Sequence, residues 1–306
     1  MKLATVRHHP MSEARLVAVV DDLAVDVAKL GEAAGVPHPS TMLDYIDLGP
    51  TAIAVTTEIL QNAELRNRPG ISVPLANVEL LAPIPRPRKN MWGIGLNYSE
   101  HVAESARSLD TAKEMPEQAV IFCKPPSTVC APGQPIVHNP KLTQQLDWEV
   151  ELAAVIGTRG KGVSEDDAMA HVFGYTVMID VSARDARRSG QWIVSKGQDT
   201  YGPMGPWIVT ADEITDPHNL DLSLTKNGET KQSSNTKHMY FKIPALIADI
   251  SEGMTLDPGD IILTGTPEGV GAGRDPQEWM WPGDSITAYV EGIGSITHPI
   301  VGHKHG

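Results

Sequence analysis

The sequence predicts an α+β fold: a large mixed β-sheet folded into a barrel or roll, preceded by a small N-terminal α/β unit. Three observations predict it. The hydrophobic set makes up 41% of the 306 residues and, with 27 Gly added, approaches the apolar share of ordinary soluble proteins, which excludes general disorder. After residue 90, runs rich in β-branched residues recur between Gly, Pro and Asn turn signals. The helical patterns among them do not alternate with strands as a repeating βαβ unit requires.

The elements follow in order. LATV (3–6) and ARLVAVV (14–20) are short β-branched runs that read as strands. VDVAKLGEAAG (25–35) reads as a short helix with Gly35 near its end, and TAIAVTTEILQNAELRN (51–67) as helical. APIPRPRKN (82–90) holds three prolines and three basic residues. Proline removes a donor and extends the residue before it, so a domain boundary is expected here, dividing 1–82 from 83–306. Beyond it WGIGL, AVIFC, WEVELAAVIG, FGYTVMIDV, PWIV, DLSLTKNG, DIILTG and SITAYV carry strand character, with helical patterns at 100–113, 165–172 and 240–252.

Charge and motifs exclude several functions. Thirty-eight acidic against 25 basic residues leave a formal charge of −13, which argues against non-specific nucleic-acid binding and suits an acidic site for a cation. Cys123 and Cys130 are the only cysteines, too few for a disulfide framework or a four-thiolate zinc site, and reduced thiols in a cytoplasmic protein are expected. The N-terminus has no apolar segment of signal-peptide length and no run of about 18 apolar residues occurs, so no membrane partner is expected. Gly93-Ile94-Gly95 could open a dinucleotide fingerprint, but its third glycine falls at Tyr98. Walker A, H-E-x-x-H, C-x-x-C and G-x-S-x-G patterns are missing as well.

The chemistry concentrates in Asp147-Trp148-Glu149-Val150-Glu151-Leu152. On a strand, Trp148, Val150 and Leu152 share one face, and Glu149 and Glu151 the other, about 6–7 Å apart at Cα. Alternating acids usually mark a solvated face. Here the run continues as AAVIG without polar relief, which directs the strand into a core. FGYTVMID is a second apolar run and ends in Asp180, either a turn former or a ligand. Three carboxylates suit Mg²⁺ or Mn²⁺. Arg184, Arg187 and Arg188 just downstream suit a carboxylate-bearing substrate, because the guanidinium fork binds carboxylates in bidentate fashion.

Six segments in order, GLNYSEHVAE (95–104), FCKPPST (122–128), DWEVELAAVIG (147–157), GYTVMIDVSARD (174–185), WIVSKGQDTYGPMGPW (192–207) and ILTGTPEGVG (262–271), carry a resemblance. From about Met91 to about Val301 the chain resembles the fumarylacetoacetate hydrolase family, in its acylpyruvate hydrolase and 2-hydroxyhepta-2,4-diene-1,7-dioate isomerase-like branch. The resemblance implies that family's catalytic fold for 83–306. It implies metal ligands at Glu149, Glu151 and Asp180, a base pair at His101 and Glu104, and a catalytic lysine at Lys196. It also implies substrate contacts at Arg184, Asp185 and Thr266. The cofactor implied is Mg²⁺ or Mn²⁺, with Ca²⁺ as a further candidate, and no nucleotide cofactor. The implied substrate is a small 2-oxo acid, and the implied assembly a homodimer through the large domain.

The reaction so implied is hydrolysis of a C–C bond in a 2,4-dioxo acid through a metal-bound pyruvate enolate, with His101 deprotonating water. Oxaloacetate decarboxylation and 2-hydroxy-dienoate isomerisation or hydration are the alternatives, and a non-catalytic binding protein is a third class. The polar segment 105–118 is expected to form part of a lid. Lys124 lies in a matching segment and, as a lysine, is expected to be solvated. His171, His218, His238, His298, His303 and His305 have no motif support.

Overall fold

The computed structural model describes residues 1–8, 13–100, 104, 115–188 and 190–303. In chain order the main strands are β1 (Lys2–Arg7), β2 (Arg15–Val20), β3 (Leu23–Asp26), β4 (Ser72–Pro74), β5 (Met91–Gly95), β6 (Val120–Lys124), β7 (Ile136–His138), β8 (Val150–Ile156), β9 (Val172–Ile179), β10 (Gly202–Thr210), β11 (Asp221–Lys226), β12 (Glu229–Asn235), β13 (Ile261–Leu263), β14 (Ser285–Val290) and β15 (Gly294–Gly302). The helices that matter below are α1 (Val27–Ala34), α2 (Met42–Ile46), α3 (Pro50–Leu60), α4 (Ile193–Lys196) and α5 (Ile243–Gly253).

The large sheet runs β4-β3-β2-β1-β10-β9-β8-β13-β5-β6, and a second runs β12-β11-β14-β15-β7. Both are mixed, since β5 lies parallel to β13 and β7 parallel to β15. The fold is α+β as expected. The sheets are open, ending at β4 and β6 and at β12 and β7, so among the described residues no barrel closes.

Strand β8 explains the layering. All seven of its residues are buried. Leu152, Ala154 and Ile156 share a core with Leu222, Leu224, Ile286, Ala288 and Ile296 of the second sheet. Ala153 and Val155 point the other way, into a core with Leu30, Met42, Tyr45, Ile46 and Leu60 of α1–α3. Burying each such Leu, Ile or Val contributes about 1.5–3 kcal/mol, so a strand covered on both faces is rigid enough to hold a site at its end.

Strands β1 and β2 and helices α1 and α3 lie close to where the sequence puts them, while Val25 and Asp26, expected in the helix, belong to β3. Asp26 caps α1 by accepting from the Lys29 amide, and Gly35 ends it at φ 76°, a left-handed conformation that glycine adopts without strain. Strand β1 pairs directly with β10, Lys2 opposite Val209, so this unit extends the large sheet. The proline-rich segment is pinned: Arg88 donates to both carboxylate oxygens of Asp47 (2.8 and 2.6 Å), and Lys89 to Asp260 (2.8 Å). No described helix is long and apolar enough to cross a membrane.

Five of these strands, β3, β4, β7, β12 and β15, escape the sequence pattern. ETKQSSN (β12) lacks apolar alternation, yet it pairs with β11 through a two-residue loop, Lys226 opposite Glu229. Asn227 and Gly228 in that loop have φ of 53° and 83°, so the Asn-Gly hairpin signal, rather than hydrophobicity, marks this strand. In β15 the apolar residues alternate with Gly, Ser, Thr, His and Pro.

His298 on β15 is fully buried, with Nδ1 on the Gln134 carbonyl (2.9 Å) and Nε2 without a partner. Burial pushes its pKa down to about 4. A folded-state pKa below the unfolded value means that the unfolded chain binds the proton first. The His298 contribution is therefore complete above about pH 6.5 and is lost as pH falls towards 4, amounting to about 3 kcal/mol. Urea midpoints of the wild type and His298→Asn should converge over that window; parallel pH profiles would refute the assignment.

Candidate metal centre and active site

The register of β8 and β9 builds the centre. Their antiparallel pairing sets Val150 opposite Ile179 and Glu151 opposite Met178. Immediately beyond, the Asp180 amide donates to the Glu149 carbonyl (2.9 Å). One sheet edge therefore carries Glu149, Glu151 and Asp180, all buried, with ligating oxygens within 4.8 Å of one another. Trp148, Val150 and Leu152 lie in the opposite core, as strand alternation requires. The chain leaving β13 turns at Gly265, φ 96°, and its amide donates to Glu151 Oε2 (2.7 Å).

Three cations answer these acids. Lys196 ends the short helix α4 and donates to Glu149 Oε2 (2.8 Å) and Asp180 Oδ2 (2.5 Å). Burial alone would lower its pKa; Asp180 and Glu149 outweigh burial and hold it raised. Lys124, expected to be solvated, is fully enclosed. It donates to Asp180 Oδ1 (2.6 Å) and to the Lys196 carbonyl (2.5 Å), and these acceptors compensate its burial. Its pKa is lowered by burial more than Asp180 restores it. Arg184 donates through Nε to Asp147 (2.8 Å) and through Nη2 to Glu149 Oε1 (2.6 Å).

Asp147 was not among the expected site residues, although it opens the same segment. Its carboxylate accepts from the Gly271 and Ala272 amides (2.6 and 3.0 Å) as well as Arg184. It thus ties the glycine-rich loop to Arg184 and through it to Glu149. No periodicity separates such an acid from a solvated one; only the register does.

The other expected residues divide. Thr266 is buried, donates to the Val150 carbonyl (2.9 Å) and accepts from Gln232 (2.8 Å), which places it against the ligand strand. Glu104 is buried against the same loop. The Gly269 amide reaches both its carboxylate oxygens (3.1 and 3.2 Å), and a Cβ on Gly273 would lie 2.0 Å from its Cδ. Asp185 is turned away: it is exposed, and its carboxylate accepts from the Thr143 hydroxyl (2.5 Å) and the Gln144 amide (2.8 Å), bracing that loop. His101 and most of the expected lid, 105–114, lie outside the described residues.

Because the three atoms nearest to a Cβ at Gly273 all belong to the Glu104 side chain, Gly273→Ala should fold normally but unseat that carboxylate. If Glu104 supports the base, the expected result is an unchanged melting temperature with kcat lowered by up to about 10²-fold. Unchanged kcat would remove Glu104 from the machinery.

On the far side of Lys196 stands an aromatic wall. Its ammonium lies 4.8 Å from the Phe122 ring centroid and 5.9 Å from that of Trp192. Phe122 packs over Gly93 and Trp192 over Gly95, where a Cβ would meet the rings at 2.3 and 2.7 Å. Arg187 stacks on Trp192 at 4.9 Å.

The donor set fits a hard divalent cation: among the described residues it is three carboxylates with no nitrogen or sulfur ligand. Counting Asp147, the cluster holds four carboxyl groups against Lys124, Lys196 and Arg184. Burial, with Asp180 and Glu149 adjacent, drives the Glu151 carboxyl well above its usual range, the mark of a site short of positive charge.

The profile described as fumarylacetoacetate (FAA) hydrolase C-terminal matches residues 90–301. The chain is 42% identical over 267 residues to the mitochondrial oxaloacetate tautomerase fahd2 of Xenopus laevis, covering 86% of this chain and 79% of that one. It is 39% identical over 265 residues to the oxaloacetate tautomerase YisK of Bacillus subtilis, covering 86% and 87%. Maleylpyruvate hydrolase from Sphingobium sp. SYK-6, solved with manganese(II) and pyruvate, superposes with a TM-score of 0.77 at 31% identity, over 99% of this chain and 100% of that one.

Proposed function

The chain belongs to the fumarylacetoacetate hydrolase family, and on that premise we propose that it is a divalent-metal-dependent enzyme interconverting the enol and keto forms of oxaloacetate. The observation that carries the reading is the buried triad Glu149, Glu151 and Asp180, bridged by the Lys196 ammonium. The tautomerase names of relatives at 42% and 39% identity support the choice of substrate.

A cation held by the three carboxylates supplies Lewis-acid polarisation of the 2-oxo group. The chain's own residues do the rest. Lys196 stays charged between two acids and offers a fixed positive group where negative charge develops on the enolate oxygen; such preorganised donors contribute about 10²–10³-fold. His101, supported by Glu104, takes the enol hydroxyl proton, solvent water delivers a proton to carbon 3, and the hydroxide left recovers the proton from His101, so that atoms and charge balance. Arg184 and Asp147 hold Glu149 and the glycine-rich loop in register.

Hydrolysis of the C–C bond in an acylpyruvate is the second reading, favoured by the manganese and pyruvate complex of the Sphingobium hydrolase. There the same base would take its proton from water. One experiment separates the readings. Metal-free protein, with and without Mg²⁺, is given enol oxaloacetate and acetylpyruvate, and enol absorbance, pyruvate and acetate are followed. Mg²⁺-dependent loss of enol with total oxaloacetate conserved supports the tautomerase. Pyruvate with stoichiometric acetate supports the hydrolase, and pyruvate with carbon dioxide from oxaloacetate a decarboxylase. No turnover in protein that binds Mg²⁺ refutes all three.

A further inference from the structure

Among the described residues, Arg187 is the cation beside the acidic cluster that has no acid of its own. Lys124, Lys196 and Arg184 all donate to carboxylates there. Among the described residues the Arg187 side chain has no hydrogen-bond or ion-pair partner; it stacks on Trp192 at 4.9 Å, and Glu149 acts on it only as a more distant charge. It is half-buried, and arginines taken out of water normally have an anionic partner. The position is built. Trp192 is wedged over the bare backbone of Gly95 and against Phe122, ring centroids 5.2 Å apart. The same indole has the Lys196 ammonium 5.9 Å from its centre. Arg187 and the lysine of the site therefore share one ring, held in place by Gly95 and Phe122. Arg184, one short turn earlier, has Nε and Nη2 already committed to Asp147 and Glu149.

We propose that Arg187 receives the distal carboxylate of a dicarboxylic 2-oxo acid and selects diacids over monoacids. This rests on the reading of the triad as the site where the 2-oxo acid end is held. The guanidinium is the appropriate group, because its planar fork meets a carboxylate with two parallel hydrogen bonds while the Trp192 face keeps it oriented. A substrate with an apolar or methyl end has nothing to offer it.

The test compares binding and turnover. Malate and lactate share a 2-hydroxy acid end, and only malate has a second carboxylate. In protein loaded with Mn²⁺, the wild type should bind malate more tightly than lactate by about 10–100-fold, the range of a hydrogen-bonded charge pair. Arg187→Gln should bring that ratio close to one, and Arg187→Lys, which keeps the charge without the fork, should fall between. The ratio of KM for phenylpyruvate enol to that for oxaloacetate enol should collapse in parallel. A wild type without malate preference, or a preference that survives Arg187→Gln in folded protein, overturns the proposal. Absence of turnover with malate preference intact would sink the tautomerase reading alone.

Discussion

Asp180→Ala should cost more activity than any other single change: kcat should fall by at least about 10²–10³-fold, with Mg²⁺ affinity lost in calorimetry. Asp180 does two things at once. It supplies one of the three convergent carboxylates, and its two oxygens separately receive Lys124 and Lys196. Without it two buried ammonium groups lose their shared acid, and the carboxylate acceptor that remains to Lys196 is Glu149, itself needed as a ligand. Removing one partner of a buried pair typically costs about 3–5 kcal/mol, so a lower denaturation midpoint should accompany the loss of turnover. Asp180→Asn preserves volume and separates the effects: it should retain more stability yet remain inactive. Full activity in Asp180→Ala after chelation and dialysis would disprove the metal centre.

Lys124→Met should destabilise the fold by about 3 kcal/mol or more and lower kcat as well. The methionine fills much the same space, so the cost comes from charge and hydrogen bonds. Lys124 is the enclosed donor to Asp180 and to the carbonyl of Lys196, so it fixes the acid and the end of α4 together. Its loss leaves Asp180 with a single lysine and frees α4 to shift. The measurement is a urea titration alongside Mg²⁺-dependent turnover. A wild-type midpoint would mean that the ammonium does not compensate the buried acid as its geometry requires.

Much of the centre was legible because strand alternation is strict. Two acids two residues apart must share a face, and an apolar run ending in Asp180 must bring that acid to a strand end. Lys124 and Asp147 were not legible. A lysine in Phe122-Cys123-Lys124-Pro125 and an acid before Trp148 look like ordinary solvated residues, since burial of a polar group depends on what packs over it. Thr266 and Asp185 were named through the family resemblance, but their partners Gln232 and Thr143 are supplied by distant segments.

The sequence by itself determined the α+β class and the strands that carry the acids, because local periodicity and residue type suffice for those; the chemistry expected of them came from the family resemblance. Tertiary structure alone decided the rest: sheets that stay open, Glu149 facing Asp180, two lysines enclosed with the acids, and Arg187 left without an acid. These depend on register and on contacts between residues far apart in the chain, where a shift of one position turns every side chain to the other face.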